Sequence, residues 1–320
     1  MKFLSAQEVL MHAHFSAAYD RAHQVVARGL EGENLILMML APTRTGKSEL
    51  IRLLQADHPS FTSEGRRSIP VLRVATPVNP TRKSLPEAML ASLDPRKYGR
   101  GSAEQLTQRA CGLIELAGTR VVIFDEIQHF IERPSRALAR EVADWLKLLS
   151  EEMGLTILML GLPSARAIFA GNEQLRDRAE AVHYLYPYRW NDPQERALFQ
   201  NCVLTLCGAL TQAGWHVPDV KSLDFIRRLY ASTQGRIGML IKLFCAAEAN
   251  AKALRLDLST FSGAYAKSIG TGLIDCNPFD PGSQLDDSVL VQAYVKVLTE
   301  AQMPLPKASL IGLQAGRGWS

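Results

Sequence analysis

Ala41-Pro42-Thr43-Arg44-Thr45-Gly46-Lys47-Ser48 follows directly on the apolar run Leu35-Ile36-Leu37-Met38-Met39-Leu40. A short, wholly apolar run reads as a strand buried on both faces. The eight residues after it fit the phosphate-loop pattern G-x-x-x-x-G-K-[ST] at every fixed position but the first, where Ala41 stands for glycine. Such a loop turns its backbone N–H groups inward, and the helix that follows adds the positive end of its dipole. Pro42, Thr43, Arg44, Thr45, Gly46 and Glu49 would line or flank this cradle for ATP. Lys47 would reach the β- and γ-phosphates, and the Ser48 hydroxyl would join a Mg²⁺ shell.

The 320 residues are enough for one large α/β domain and a smaller one. Hydrophobic residues make up 47% and charged residues 21%, which is a globular balance and excludes a disordered chain. No apolar run approaches the roughly 20 residues of a membrane helix, so no membrane role is expected. The start, Met1-Lys2-Phe3-Leu4-Ser5-Ala6-Gln7-Glu8, turns polar too soon for a signal peptide. The five cysteines are few and odd in number, which suits reduced thiols in a cytoplasmic protein. Cys202 and Cys207 lack the second Cys or His pair that a zinc site needs.

Outward from the loop, apolar strands are predicted at 33–40, 69–74, 121–124 and 155–160, with a weaker one at 182–186. Helices are predicted between them at about 46–57, 84–93, 102–117 and 135–153, and Ser60–Ser68 reads as a loop. Strands alternating with helices give a parallel sheet covered on both faces, with ligands at the C-terminal strand ends. After Pro187 the pattern turns all-helical, at about 192–213, 219–231, 236–254 and 257–268. Residues 271–285 read as a linker, 286–302 as one more helix, and the Pro- and Gly-rich end as unstructured alone. The division expected is a helical segment at 1–32, an α/β nucleotide domain at 33–190, a helical domain at 191–270 and a tail at 271–320.

Val121-Val122-Ile123-Phe124 ends in Asp125-Glu126. A carboxylate at such a strand end suits Mg²⁺, through a bound water, and that is the role expected of Asp125. Glu126 can orient and deprotonate an attacking water, so the pair points to ATP hydrolysis. Arg176 and Arg178 precede the last strand. They read either as cations that complete a neighbouring subunit's site in trans or as surface partners of Glu173 and Glu180. Arg236, in Gln234-Gly235-Arg236-Ile237-Gly238, reads as a lid residue over the phosphates or as a structural helix-start arginine. Residues 66–100 carry eight Lys and Arg against Glu87 and Asp94, an excess that can attract phosphate backbones.

The order of these elements resembles an AAA+ ATPase, and more closely the TniB/TnsC transposition ATPases, which are target-selection regulators. The resemblance rests on 41–48; Asp125-Glu126-Ile127-Gln128-His129-Phe130; Gly161-Leu162-Pro163; Asn172-Glu173-Gln174-Leu175-Arg176-Asp177-Arg178; Gly235-Arg236-Ile237-Gly238; and Asn277-Pro278-Phe279. It implies a P-loop AAA+ α/β fold with a smaller helical lid and a C-terminal tail. It also implies ATP binding, head-to-tail self-assembly on double-stranded DNA as a ring or filament, and recruitment of a DDE transposase through the chain past Asp275. The upstream partner implied is a TniQ-type targeting protein, with a CRISPR effector as its optional carrier. On this resemblance Arg82, Lys83, Lys97 and Arg100 become the DNA-binding candidates, acting on phosphates without sequence preference. Two departures, Ala41 and the apolar Met159-Leu160 before Gly161, point to slow hydrolysis. Another AAA+ machine of helicase-loader or secretion type, or a P-loop small-molecule kinase, remain as alternatives.

Overall fold

The computed structural model describes residues 10–78, 80–94, 100–131, 136–170, 173–251, 253–269 and 274–306, without side chains for 136–140, 170, 173 and 174. The expectations on residues 1–9, on Lys97 and on 307–320 lie outside the described residues. Two compact units emerge. One is formed by His14–Ala41 with Lys47–Leu185, the other by the described parts of Met1–Ala13, Pro42–Gly46 and Tyr186–Ser320.

In the first unit, α1 (Ala13–Leu30) leads into β1 (Ile36–Leu40), and α2 (Lys47–Asp57) starts at the end of the phosphate loop. A hairpin of β2 (Phe61–Ser63) and β3 (Arg66–Ser68) precedes β4 (Val71–Ala75), α3 (Ser84–Leu93) and α4 (Ala103–Leu116). Then come β5 (Val121–Asp125), α5 (Arg136–Lys147), β6 (Thr156–Gly161), α6 (Ala167–Ala170), α7 (Glu173–Arg178) and β7 (His183–Tyr184). The main sheet has the order β4-β5-β6-β1-β7, with every neighbouring pair parallel. All residues of β1, β5 and β6 are buried, as continuous apolar strands under two helical layers must be. This is the α/β fold that the sequence predicts. Phe124 anchors the core edge-on to Trp145, at 5.5 Å between ring centres, and to Phe130 at 6.0 Å. Helix α4 starts with a capping box: Ser102 accepts from the Gln105 N–H and Gln105 from the Ser102 N–H.

One stretch of this unit differs from expectation. Residues 61–68 form an antiparallel hairpin instead of a loop, turned by Glu64 and Gly65, both with positive φ. That is the backbone a two-residue hairpin needs. With one apolar residue, Phe61, it carries no alternation to read. The region after β6 holds a 3₁₀ turn, Pro163–Arg166, and the short helices α6 and α7, none long enough to show periodicity.

The second unit packs α8 (Pro193–Gln212), α9 (Leu223–Thr233), α10 (Ile237–Asn250), α11 (Leu258–Ser268) and α12 (Asp287–Glu300). Helices α8, α11 and α12 are capped by Asp192, Asp257 and Asp286, whose side chains accept first-turn N–H groups. The linker reading of 271–285 does not hold for its described part. Phe279 is buried and stacks on Phe261 at 5.4 Å. Arg228 donates to the Pro278 and Asp280 carbonyls at 2.6 and 3.0 Å, and Asn277 donates to Ser262. Further along, Tyr186 donates to the Pro304 carbonyl at 3.1 Å, so the chain is pinned almost to its last described residue. Among the described residues no helix is long and apolar enough to cross a membrane.

Candidate nucleotide site

The loop leaves β1 with the Ala41 N–H donating to the Gly161 carbonyl at 3.1 Å, one more rung of the β1–β6 ladder. Left-handed backbone falls at Arg44 (φ 63°) and Gly46 (φ 106°), and not at Ala41. Ala41 is 1% exposed and needs no glycine φ, so the missing first glycine brings no strain. The Thr45 hydroxyl donates to the Pro42 carbonyl at 2.9 Å and closes the loop on itself. Ser48 is exposed on the first turn of α2, and Glu49 beside it pairs with Arg52.

The Lys47 ammonium donates to the Ala41 carbonyl at 2.9 Å. Burial pushes its pKa down to about 8, while Glu126 and Asp125 pull it upward. Phosphate binds the ammonium and not the neutral amine. ATP affinity should therefore be flat below about pH 7 and fall about tenfold per unit above pH 8. Titration with a fluorescent nucleotide reads this directly, and an affinity unchanged through pH 9 would contradict it.

Asp125 ends β5 at 4% exposure. One carboxylate oxygen accepts the Glu126 N–H at 3.0 Å, and the other accepts from Arg73 of β4 at 2.7 Å. Glu126 is exposed and left-handed (φ 58°), opening a 3₁₀ turn over Ile127–Phe130. Gln128 folds back, and its amide N–H donates to the Glu126 carboxylate. Its amide oxygen accepts the Leu162 N–H at 3.1 Å, just past β6. Arg73 and Gln128 are the site residues that sequence reasoning missed. Arg73 was one cation in a basic run. Gln128 was visible only as a letter in the run 125–130.

Arg176 and Arg178 sit on α7, each about half exposed. Arg178 lies 3.4 Å from Glu151, and Arg176 3.6 Å from Asp177. Glu180, a partner expected from the sequence, instead takes Arg21 and Arg28.

In the helical unit Arg236 caps the start of α10 at 6% exposure. It donates to the Thr233 carbonyl at 3.1 Å and to Gln234 at 2.6 Å, and burial lowers its guanidinium to about 10. Two residues on, a Cβ at Gly238 would lie 2.4 Å from the Arg44 carbonyl oxygen. Glycine lets the first turn of α10 rest on the Arg44 backbone, which belongs to the same unit.

The basic run at 66–100 is not one surface. Arg66 and Arg67 lie on the hairpin that enters β4, whereas Arg82 and Lys83 follow its C-terminal end, where Ala75 pairs with Asp125. Arg82, Lys83 and Arg100 are exposed at the starts of α3 and α4. The Glu104 carboxyl of α4 is held low by its own N–H and by Ser102, with a smaller contribution from Arg82. Arg73 is already engaged with Asp125.

The family model described as bacterial TniB protein matches residues 1–190. The chain belongs to the TniB family. As a TniB-family chain it is an AAA+ ATPase and binds nucleotide. The ORC2 protein of Aeropyrum pernix in its ADP form superposes with a TM-score of 0.59 at 14% identity, over 98% of this chain and 88% of that one. The ORC1 protein of Aeropyrum pernix in complex with DNA gives 0.57 at 14%, over 98% and 86%. A Walker-type ATPase of Pyrococcus abyssi gives 0.53 at 14%, over 98% and 92%. At such identity the likeness is one of fold. No curated protein sequence matches the chain.

Proposed function

We propose that this TniB-family chain is an ATP-dependent, DNA-binding regulator of transposition. It assembles head-to-tail on double-stranded DNA and links a TniQ-type targeting complex to a DDE transposase, and hydrolysis drives its disassembly. The observation that carries this reading is the family match over residues 1–190, together with Lys47 and the Asp125-Glu126 pair.

In this reading the N–H groups of 42–48 and the Lys47 ammonium hold the β- and γ-phosphates. The Ser48 hydroxyl and the Asp125 carboxylate are hard oxygen donors of the kind Mg²⁺ takes. When bound, the ion neutralises charge on the phosphates. Glu126 orients the attacking water and accepts its proton. The exposed Arg176 and Arg178 serve the neighbouring subunit's γ-phosphate. Contact without ring closure would give a helical filament. Slow hydrolysis is assigned to the apolar end of β6 rather than to Ala41, which is unstrained. The transposase contact is assigned to the chain past Asp275, whose described part packs against Arg228 and Phe261.

Arg82, Lys83 and Arg100 are assigned to DNA phosphates, with Lys97 between them in sequence. Replacing Arg82 and Lys83 together by alanine should weaken binding equally on unrelated duplexes and reduce the salt slope of log K by about 2. An unchanged slope would remove this surface from the account. The ORC1 protein solved with DNA favours a second reading, an AAA+ DNA ATPase outside transposition. Failure of a cognate transposase to bind would support that one.

A further inference from the structure

We infer that Gln128 is a positioning residue for Glu126, tying the proposed general base to the end of β6; this rests on the hydrolytic reading above. Gln128 is 6% exposed. The Leu162 backbone N–H can only donate, so the amide oxygen must face it. That leaves the amide N–H on the Glu126 carboxylate and fixes the orientation of the amide. The neighbouring backbone is built around this bridge. A Cβ at Gly161 would lie 2.8 Å from the Gln128 amide oxygen and 2.5 Å from the Ile127 side chain. The glycine that ends β6 thus opens the space the amide occupies.

The consequence is mechanical. Glu126 is exposed, so without a tether its carboxylate would sample several rotamers. The amide holds it against a strand end whose own residues, Met159, Leu160 and Gly161, offer no polar side chain. Gln128 supplies that polar link from the opposite direction, out of the 3₁₀ turn after β5. Movement of the Gly161-Leu162-Pro163 turn is then passed to the carboxylate that orients water.

The test uses the full chain with Mg-ATP. Gln128→Ala, and Gln128→Met as a variant of similar length without the N–H, should each lower kcat roughly 10- to 100-fold, the scale on which misplacing a catalytic group acts. KM and the affinity for a fluorescent nucleotide should stay within about threefold of wild type, because the phosphate loop is untouched. In a Glu126→Gln background, single-turnover measurement should find no further loss from Gln128→Ala, because the amide acts only through that carboxylate. An unchanged or raised kcat would overturn the proposal. A parallel loss of affinity and melting temperature in both variants would overturn it too, since that marks a structural role. Absence of hydrolysis by the wild type would instead overturn the hydrolytic reading itself, and this inference with it.

Discussion

Lys47→Ala is expected to abolish ATP-dependent assembly on DNA. The ammonium sits at the start of α2, its pKa pushed down to about 8 by burial and drawn up by Glu126 and Asp125. A charge held in such a place is poised for phosphate, since a charge-assisted bond there replaces a neutral carbonyl contact. Removing it deletes the cation proposed to meet the β- and γ-oxygens and leaves the phosphates less compensated. A loss of about 3 kcal/mol, or roughly 100-fold in ATP affinity, is the expected scale. If ATP holds neighbours together, the defect should appear twice, in nucleotide titration and in DNA coating followed by light scattering. Normal coating by Lys47→Ala would break the link between nucleotide and assembly.

Glu126→Gln should act in the opposite direction. The substitution keeps the shape of the side chain but removes the carboxylate proposed to accept the proton from water, a loss of about 10²- to 10⁴-fold in hydrolysis. Binding should remain, since Lys47 and the loop are intact. ATP-bound protein should then accumulate on DNA as oligomers that outlive those of the wild type, read as phosphate release and as dissociation after dilution. Wild-type lifetimes with hydrolysis lost would mean that hydrolysis does not time disassembly.

How much of this was written in the sequence depends on how far apart the interacting residues lie. Strands β1, β5 and β6 were legible because burial on both faces demands a continuous apolar run, which is a local signal. The places of Lys47 at a helix start and of Asp125 and Glu126 at a strand end were legible because the phosphate-loop and strand-end patterns are local as well. The roles of Arg73 and Gln128 were not, because they consist of contacts to Asp125 and Leu162, 52 and 34 residues away. Asn277-Pro278-Phe279 looked like a linker because Pro278, Pro281 and Gly282 break any helical or strand pattern around it. Its docking depends on Arg228 and Phe261 in other helices, which no local pattern announces. The hairpin at 61–68 was hidden for a different reason: it lies on the surface, and nothing in its alternation marks a buried face.

ATP-dependent assembly on DNA is tested most sharply by electron microscopy of the wild-type protein on linear double-stranded DNA, with and without a slowly hydrolysed ATP analogue. Regular head-to-tail assemblies are expected on DNA with the analogue and bare DNA without it. Assemblies that form equally without nucleotide, or protein that binds the analogue yet remains monomeric on DNA, would contradict it.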